Sequence, residues 1–153
     1  MAKTTRSRRI EVSAETVWQV VEDPHHLPRW WPGVTRVEDV RGGRFTEVIP
    51  TRRGKPVRLD FTVVQSRPPH LISWTQELVG TPFERLLSAW TTTITIEPGD
   101  ARSCSVTLEE DQQLRGSFRA GLLLQRRPAG RRVEAALKAL AELFQGDGAP
   151  ERS

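Results

Sequence analysis

The chain has 153 residues, 37% of them hydrophobic and 27% charged, which is long enough for a real core and too apolar for a disordered segment. Cys104 is the only cysteine, so an internal disulfide is excluded, and no apolar run is long enough to cross a bilayer. The net charge of +4 comes mostly from arginines interspersed with acids, the pattern of a solvated surface rather than of a nucleic-acid binder.

The start, Met1 to Arg6, is basic but has no apolar segment behind it, unlike a secretory signal. Together with the lone cysteine this gives the cytoplasm as the expected location. Five tryptophans and no tyrosine mean that no phenol is available as acid, base or oxyanion donor.

Thr4 to Val12 reads as a first strand. Ser13 then suits a helix N-cap, because its hydroxyl can accept from an orphan amide of the first turn. Val17, Trp18, Val20 and Val21 give that short helix an apolar side. Asp23-Pro24 ends it and opens a second short helix, with Asp23 as cap and Pro24 at the first position. Pro28 and Pro32-Gly33 close that one.

From Val34 the pattern turns to strands. Val34 to Arg41 and Arg44 to Ile49 flank Gly42-Gly43, a pair suited to the positive φ angles of a type I′ hairpin turn. Pro56 to Arg67, Leu71 to Val79, Phe83 to Ile96 and Arg102 to Leu114 follow, separated by Gly- and Pro-containing turns. These six runs predict an antiparallel meander. Ser117 can cap a C-terminal helix whose stripe is Val133, Ala136, Leu137, Leu140, Ala141 and Phe144. Pro128 removes one helical bond at a cost of about 3 kcal/mol, so a kink or break is expected at 126–130. The pocket entrance is expected there too. Gln145 to Gly148 should stop the helix, leaving 146–153 frayed. No repeat or linker appears, so 1–153 reads as one domain.

Alternation places one face of each strand inward. Phe45, Glu47 and Ile49 share such a face, as do Val57, Leu59, Phe61 and Val63. So do Ile72, Trp74, Gln76 and Leu78. The next strand contributes Leu86, Ser88, Trp90, Thr92, Ile94 and Ile96, and the last contributes Cys104, Val106, Leu108, Glu110, Gln112 and Leu114. The opposite face of the last strand, from Ser103 to Asp111, reads as outward. An apolar sheet face and an apolar helix stripe must pack together, and large aromatics among them predict a ligand pocket. Glu47, Gln76, Glu110 and Gln112 break the pattern. Each needs a partner, water or a ligand, or lies near a wet strand end.

The order of elements resembles the helix-grip fold of the START-like superfamily, in particular its polyketide cyclase/dehydrase and lipid-transport branch. The stretches that carry the resemblance are Ile10-Glu11-Val12-Ser13-Ala14-Glu15-Thr16-Val17-Trp18, then Asp23-Pro24, then Leu27-Pro28-Arg29-Trp30-Trp31-Pro32-Gly33-Val34, and finally Ala135 to Leu140. The resemblance implies an α+β fold: a curved antiparallel sheet of about seven strands around a long C-terminal helix, with two short helices after the first strand. It also implies that a hydrophobic molecule sits between sheet and helix. Trp30 matches the family's tryptophan and Trp31 its variable neighbour. Pro128-Ala129-Gly130 departs from the usual uninterrupted helix.

The expected ligand-binding residues are Trp30, Trp31, Phe45, Phe61, Trp74, Gln76, Trp90, Thr92, Leu108, Glu110 and Leu123. The expected function is binding or transport of a small hydrophobic molecule such as a lipid, quinone or polyketide-like compound. The alternative is a cyclase or dehydratase, with Glu110 as general base and Arg126 as the positive charge that stabilises an enolate. The arginines near 126–132 and Arg6, Arg8 and Arg9 allow weak contact with an anionic membrane; nucleic acid is not an expected partner. The histidines have no metal-ligand spacing and no phosphate-cradling glycine loop is present, so neither a metal nor another cofactor is expected.

Overall fold

The computed structural model describes residues 2–81, 83–115 and 122–148, and places side chains for all of these except 2, 122–129 and 146–148. Strand β1 (Ala2–Ile10) leads to helix α1 (Ala14–Val21), a 3-10 turn at Pro24–His26 and the short helix α2 (Leu27–Trp30). Then come β2 (Arg36–Arg41), β3 (Arg44–Ile49), β4 (Val57–Arg67), β5 (Leu71–Gln76), β6 (Leu87–Pro98) and β7 (Cys104–Leu114), and finally helix α3 (Leu122–Gly148). The strands form one antiparallel sheet in the order β1-β7-β6-β5-β4-β3-β2. β2 to β7 are thus a meander, and β1 joins it by pairing with β7, from Ala2 opposite Gln112 to Ile10 opposite Cys104.

Local chemistry explains the entry to this sheet. Ser13 Oγ accepts from the Thr16 amide at 3.3 Å, and Asp23 Oδ1 accepts from the His25 amide at 3.0 Å. Both are caps on orphan donors. Ser13→Ala is expected to lower the unfolding free energy by about 1 kcal/mol, read as a shifted urea midpoint with an unchanged slope. Gly42 and Gly43 have φ of 57° and 80°, as a type I′ turn requires.

The core lies where α3 and α1 meet the sheet. Val133, Ala136, Leu137, Leu140 and Ala141 are buried as one stripe, and Phe144 is half-buried beside it. The same core cluster contains Ile94 and Ile96 of β6 and Cys104, Val106 and Leu108 of β7. α3 packs on β1, β7 and α2, so the sheet's first-strand edge and the α2 turn hold the helix from both sides. Arg6 of β1 reinforces this with an ion pair to Glu134 at 2.9 Å.

Several expectations need correction. α3 runs without interruption from Leu122 to Gly148, through Pro128. One lost hydrogen bond is tolerated where the downstream stripe is buried against a sheet. Residues 146–148 are therefore helical, while 149–153 and the expected cap Ser117 lie outside the described residues. β6 starts at Leu87, not Phe83, and its register shifts between Leu87 and Ala89. This bulge flips the alternation, so Leu87 is buried and Ser88 is exposed. Val57, at the start of β4, is exposed rather than inward. Ser103 precedes β7 and is buried by its bonds to the Asp100 turn. β3 is buried on both faces: Val48 pairs with Arg36 on one side and Arg58 on the other, and Glu38 bridges those two arginines above it.

Candidate functional site

Between β3–β7, the loop after α2 and α3 lies a cavity of about 210 Å³. Its wall is largely aromatic: Trp31, Phe61, Trp74, Phe83 and Trp90, with Leu59, Ile49 and Pro32. The rings brace one another edge to face, with Trp31 and Trp74 at 6.2 Å between centroids and Phe83 and Trp90 at 5.3 Å. Such contacts stiffen the wall. The polar part of the wall is Glu47, Gln76, Thr92, Glu110 and Arg132.

Glu110 comes from β7 and is 2% exposed. It is held by Arg132 of α3, whose Nη2 donates to Oε2 at 2.5 Å and to Oε1 at 3.1 Å, while Nε donates to Oε1 at 3.2 Å. The Trp90 indole N–H adds a longer bond to Oε1, at 3.4 Å. The Arg132 guanidinium also stands 5.3 Å from the centre of the Trp90 ring, a cation–π contact. The carboxylate is therefore fully engaged by charge-assisted bonds.

Glu47 differs. It is 3% exposed, and among the described residues no hydrogen bond or ion pair holds it. Burial, and then the nearby Glu110 charge, push its pKa up to about 8, against a smaller opposing effect from Arg132. Near neutral pH it is a carboxylic acid rather than a carboxylate. Gln76 is buried at 5% exposure, and its Nε2 has no partner among the described residues. Thr92, buried on the same wall, makes no side-chain hydrogen bond among the described residues either.

Of the residues expected from sequence, Trp31, Phe61, Trp74, Gln76, Trp90, Thr92 and Glu110 line the cavity. Trp30, Phe45 and Leu108 do not. Trp30 packs against Trp31 at 5.5 Å, Phe45 stacks behind Phe61 at 5.2 Å, and Leu108 is sealed in the core. The side chains of Leu123 and Arg126 lie outside the described residues. The positive charge beside Glu110 is supplied by Arg132. Glu47, Arg132, Phe83, Leu59, Ile49 and Pro32 are the additions. Glu47 was readable from its alternation with Phe45 and Ile49. Arg132 was readable from its position four residues before Ala136 and eight before Leu140, on the edge of the helix stripe. A wider depression of about 440 Å³ at the β2–β3 hairpin is bordered by the exposed Asp39, Arg41, Arg44 and Asp60, and neither helix nor loop encloses it.

A family model described as polyketide cyclase / dehydrase and lipid transport matches residues 1–145. The chain belongs to that family. The fold of this family member is the helix-grip, START-like one. It superposes on a START superfamily protein from Mycobacterium smegmatis with a TM-score of 0.73 at 15% identity, covering 94% of this chain and 97% of that one. The di-domain ARO/CYC BexL from the BE-7585A biosynthetic pathway gives 0.78 at 24% identity, over 95% of this chain and 47% of that one. The di-domain ARO/CYC StfQ from the steffimycin biosynthetic pathway gives 0.73 at 15% identity, over 97% and 52%. The chain spans about half the length of these di-domain proteins. No curated protein matches it. Membership in the polyketide cyclase / dehydrase and lipid transport family supports a role in binding a hydrophobic ligand. No helix among the described residues is long and apolar enough to cross a membrane.

Proposed function

We propose that this protein binds a compact, ring-containing hydrophobic molecule in the cavity between sheet and α3, with a polar group of that molecule directed at Glu47 and Gln76. The observation that carries this is an aromatic cavity whose wall includes Glu47 and Gln76, buried polar side chains that have no partner among the described residues. Unpartnered buried polar groups are costly to keep, and a ligand can satisfy them. At about 210 Å³ the space is smaller than the roughly 300–1,000 Å³ of drug-sized pockets. That favours one or two fused rings, as in a quinone or polyketide-like compound, over a long acyl chain.

The test is a titration with 2-naphthol and with palmitate, followed by tryptophan emission, since three indoles border the cavity. The naphthol should bind saturably and palmitate should not. Leu59→Trp, which fills the cavity, should weaken naphthol binding about tenfold or more while costing about 1–3 kcal/mol of stability from overpacking. Binding that ignores this substitution would overturn the proposal.

The raised pKa of Glu47 supports a second reading, an acid–base enzyme. Its acid would be Glu47, because Glu110 is occupied by three bonds from Arg132. A rate that depends on protonated Glu47 would fall as pH rises through about 8.

Of the amino-terminal arginines, Arg6 pairs with Glu134 at 2.9 Å and Arg9 with Glu11 at 2.8 Å, and Arg8 is exposed.

A further inference from the structure

We propose that the cavity selects a cationic ligand, a compact aromatic or alicyclic skeleton bearing a basic nitrogen, with Glu47 as its counter-ion. This rests on the ligand-binding reading above and adds the ligand's charge to it.

Among the described residues, three ionisable side chains face the cavity: Glu47 from β3, Glu110 from β7 and Arg132 from α3. The remaining wall residues that the structure describes, on β4, β5, β6 and the loops, are aromatic, aliphatic, amide or hydroxyl. Arg132 is committed to Glu110 through three donor contacts, and its guanidinium lies against Trp90. Two carboxyls therefore share one cation, and Glu47 is the one left over.

A ligand ammonium completes this set. It brings a positive charge next to Glu47, and it enters a space bordered by Trp31, Trp74 and Phe83, whose π-electrons favour cations. The Arg132–Trp90 contact shows the same attraction already in use in this wall. An anion would face two carboxyls with the arginine already taken. A neutral ligand would leave Glu47 as an uncharged acid. The proton balance follows directly. The ammonium arrives already protonated, Glu47 gives up its proton to solvent, and the ion pair forms in the cavity.

Calorimetric titration with three probes of one shape tests this: 2-naphthylmethylamine, 2-naphthylmethanol and 2-naphthoate. The amine should bind about tenfold or more tightly than the alcohol, and the naphthoate weakest. Repeating the amine titration in two buffers of different ionisation enthalpy near neutral pH should show release of close to one proton, because Glu47 is protonated below about pH 8. Glu47→Gln should abolish both the proton release and the preference for the amine, while the alcohol still binds. The wild-type buffer dependence stands as a test even if that variant fails to fold. Equal or tighter binding of the alcohol, or amine binding without proton release, overturns the cationic assignment and leaves the ligand-binding reading standing. Failure of all three probes overturns both.

Discussion

Arg132→Met is expected to lower the unfolding free energy by about 3 kcal/mol near neutral pH, because it leaves the buried Glu110 without its counter-charge. The loss should sit at the lower end of the usual range for broken buried pairs, since the Arg132 side chain is itself 28% exposed and water can reach that side of the contact. Adding Glu110→Leu to Arg132→Met should restore most of the loss, because replacing both partners removes the uncompensated charge. Urea unfolding of the single and double variants near neutral pH is sufficient. A single-variant loss below about 1 kcal/mol would mean that the pair is effectively solvated.

The same pair shows what the sequence made legible. Strict alternation in β7 placed Cys104, Val106, Leu108, Glu110, Gln112 and Leu114 on the inward face; the first five are buried, and Leu114 at the strand's end is half-buried. Nothing local disturbs a central strand with neighbours on both sides. The alternation of β6 was read wrongly at its first residues, because the bulge between Leu87 and Ala89 comes from pairing with Leu114 and Gln113, not from any signal in the strand itself. Val57 fits the inward phase but is the first residue of β4, opposite Ile49 at the end of β3, and is exposed. Arg132 was harder to read for a different reason. It lies among Arg126, Arg127 and Arg131, and a charged side chain beside others reads as a solvated face. Only its spacing from Ala136 and Leu140 distinguished it from the exposed Arg131. Trp30, Phe45 and Leu108 are buried as expected but one layer behind the cavity. The division between a core face and a cavity wall depends on how far α2 and α3 stand from the sheet, which periodicity does not encode.

Glu47 carries the largest expected dependence on conditions. In the unfolded chain a glutamate ionises near its ordinary pKa of 4.5, whereas in the folded protein Glu47 ionises at about 8. Below the lower value it is protonated in both states and costs nothing. Between the two values the native state holds a proton that the unfolded chain has lost, so unfolding releases a proton and stability falls as pH rises. Above about 8 both states are ionised and the full penalty, about 4–5 kcal/mol, is in place. Glu47→Gln has no proton to lose. It should therefore be more stable than wild type by about 4 kcal/mol in mild alkali, and nearly equal to it in acid. Urea melts of both proteins across that window would show two curves that meet at low pH and separate steadily above it. Parallel curves would mean that Glu47 is solvated in the folded state. A group that weakens the fold this much at neutral pH is what a binding site retains when the group serves the ligand rather than the fold. A cationic ligand should accordingly flatten the wild-type curve, by pairing with the ionised Glu47, and should leave the pH dependence of the Gln variant unchanged.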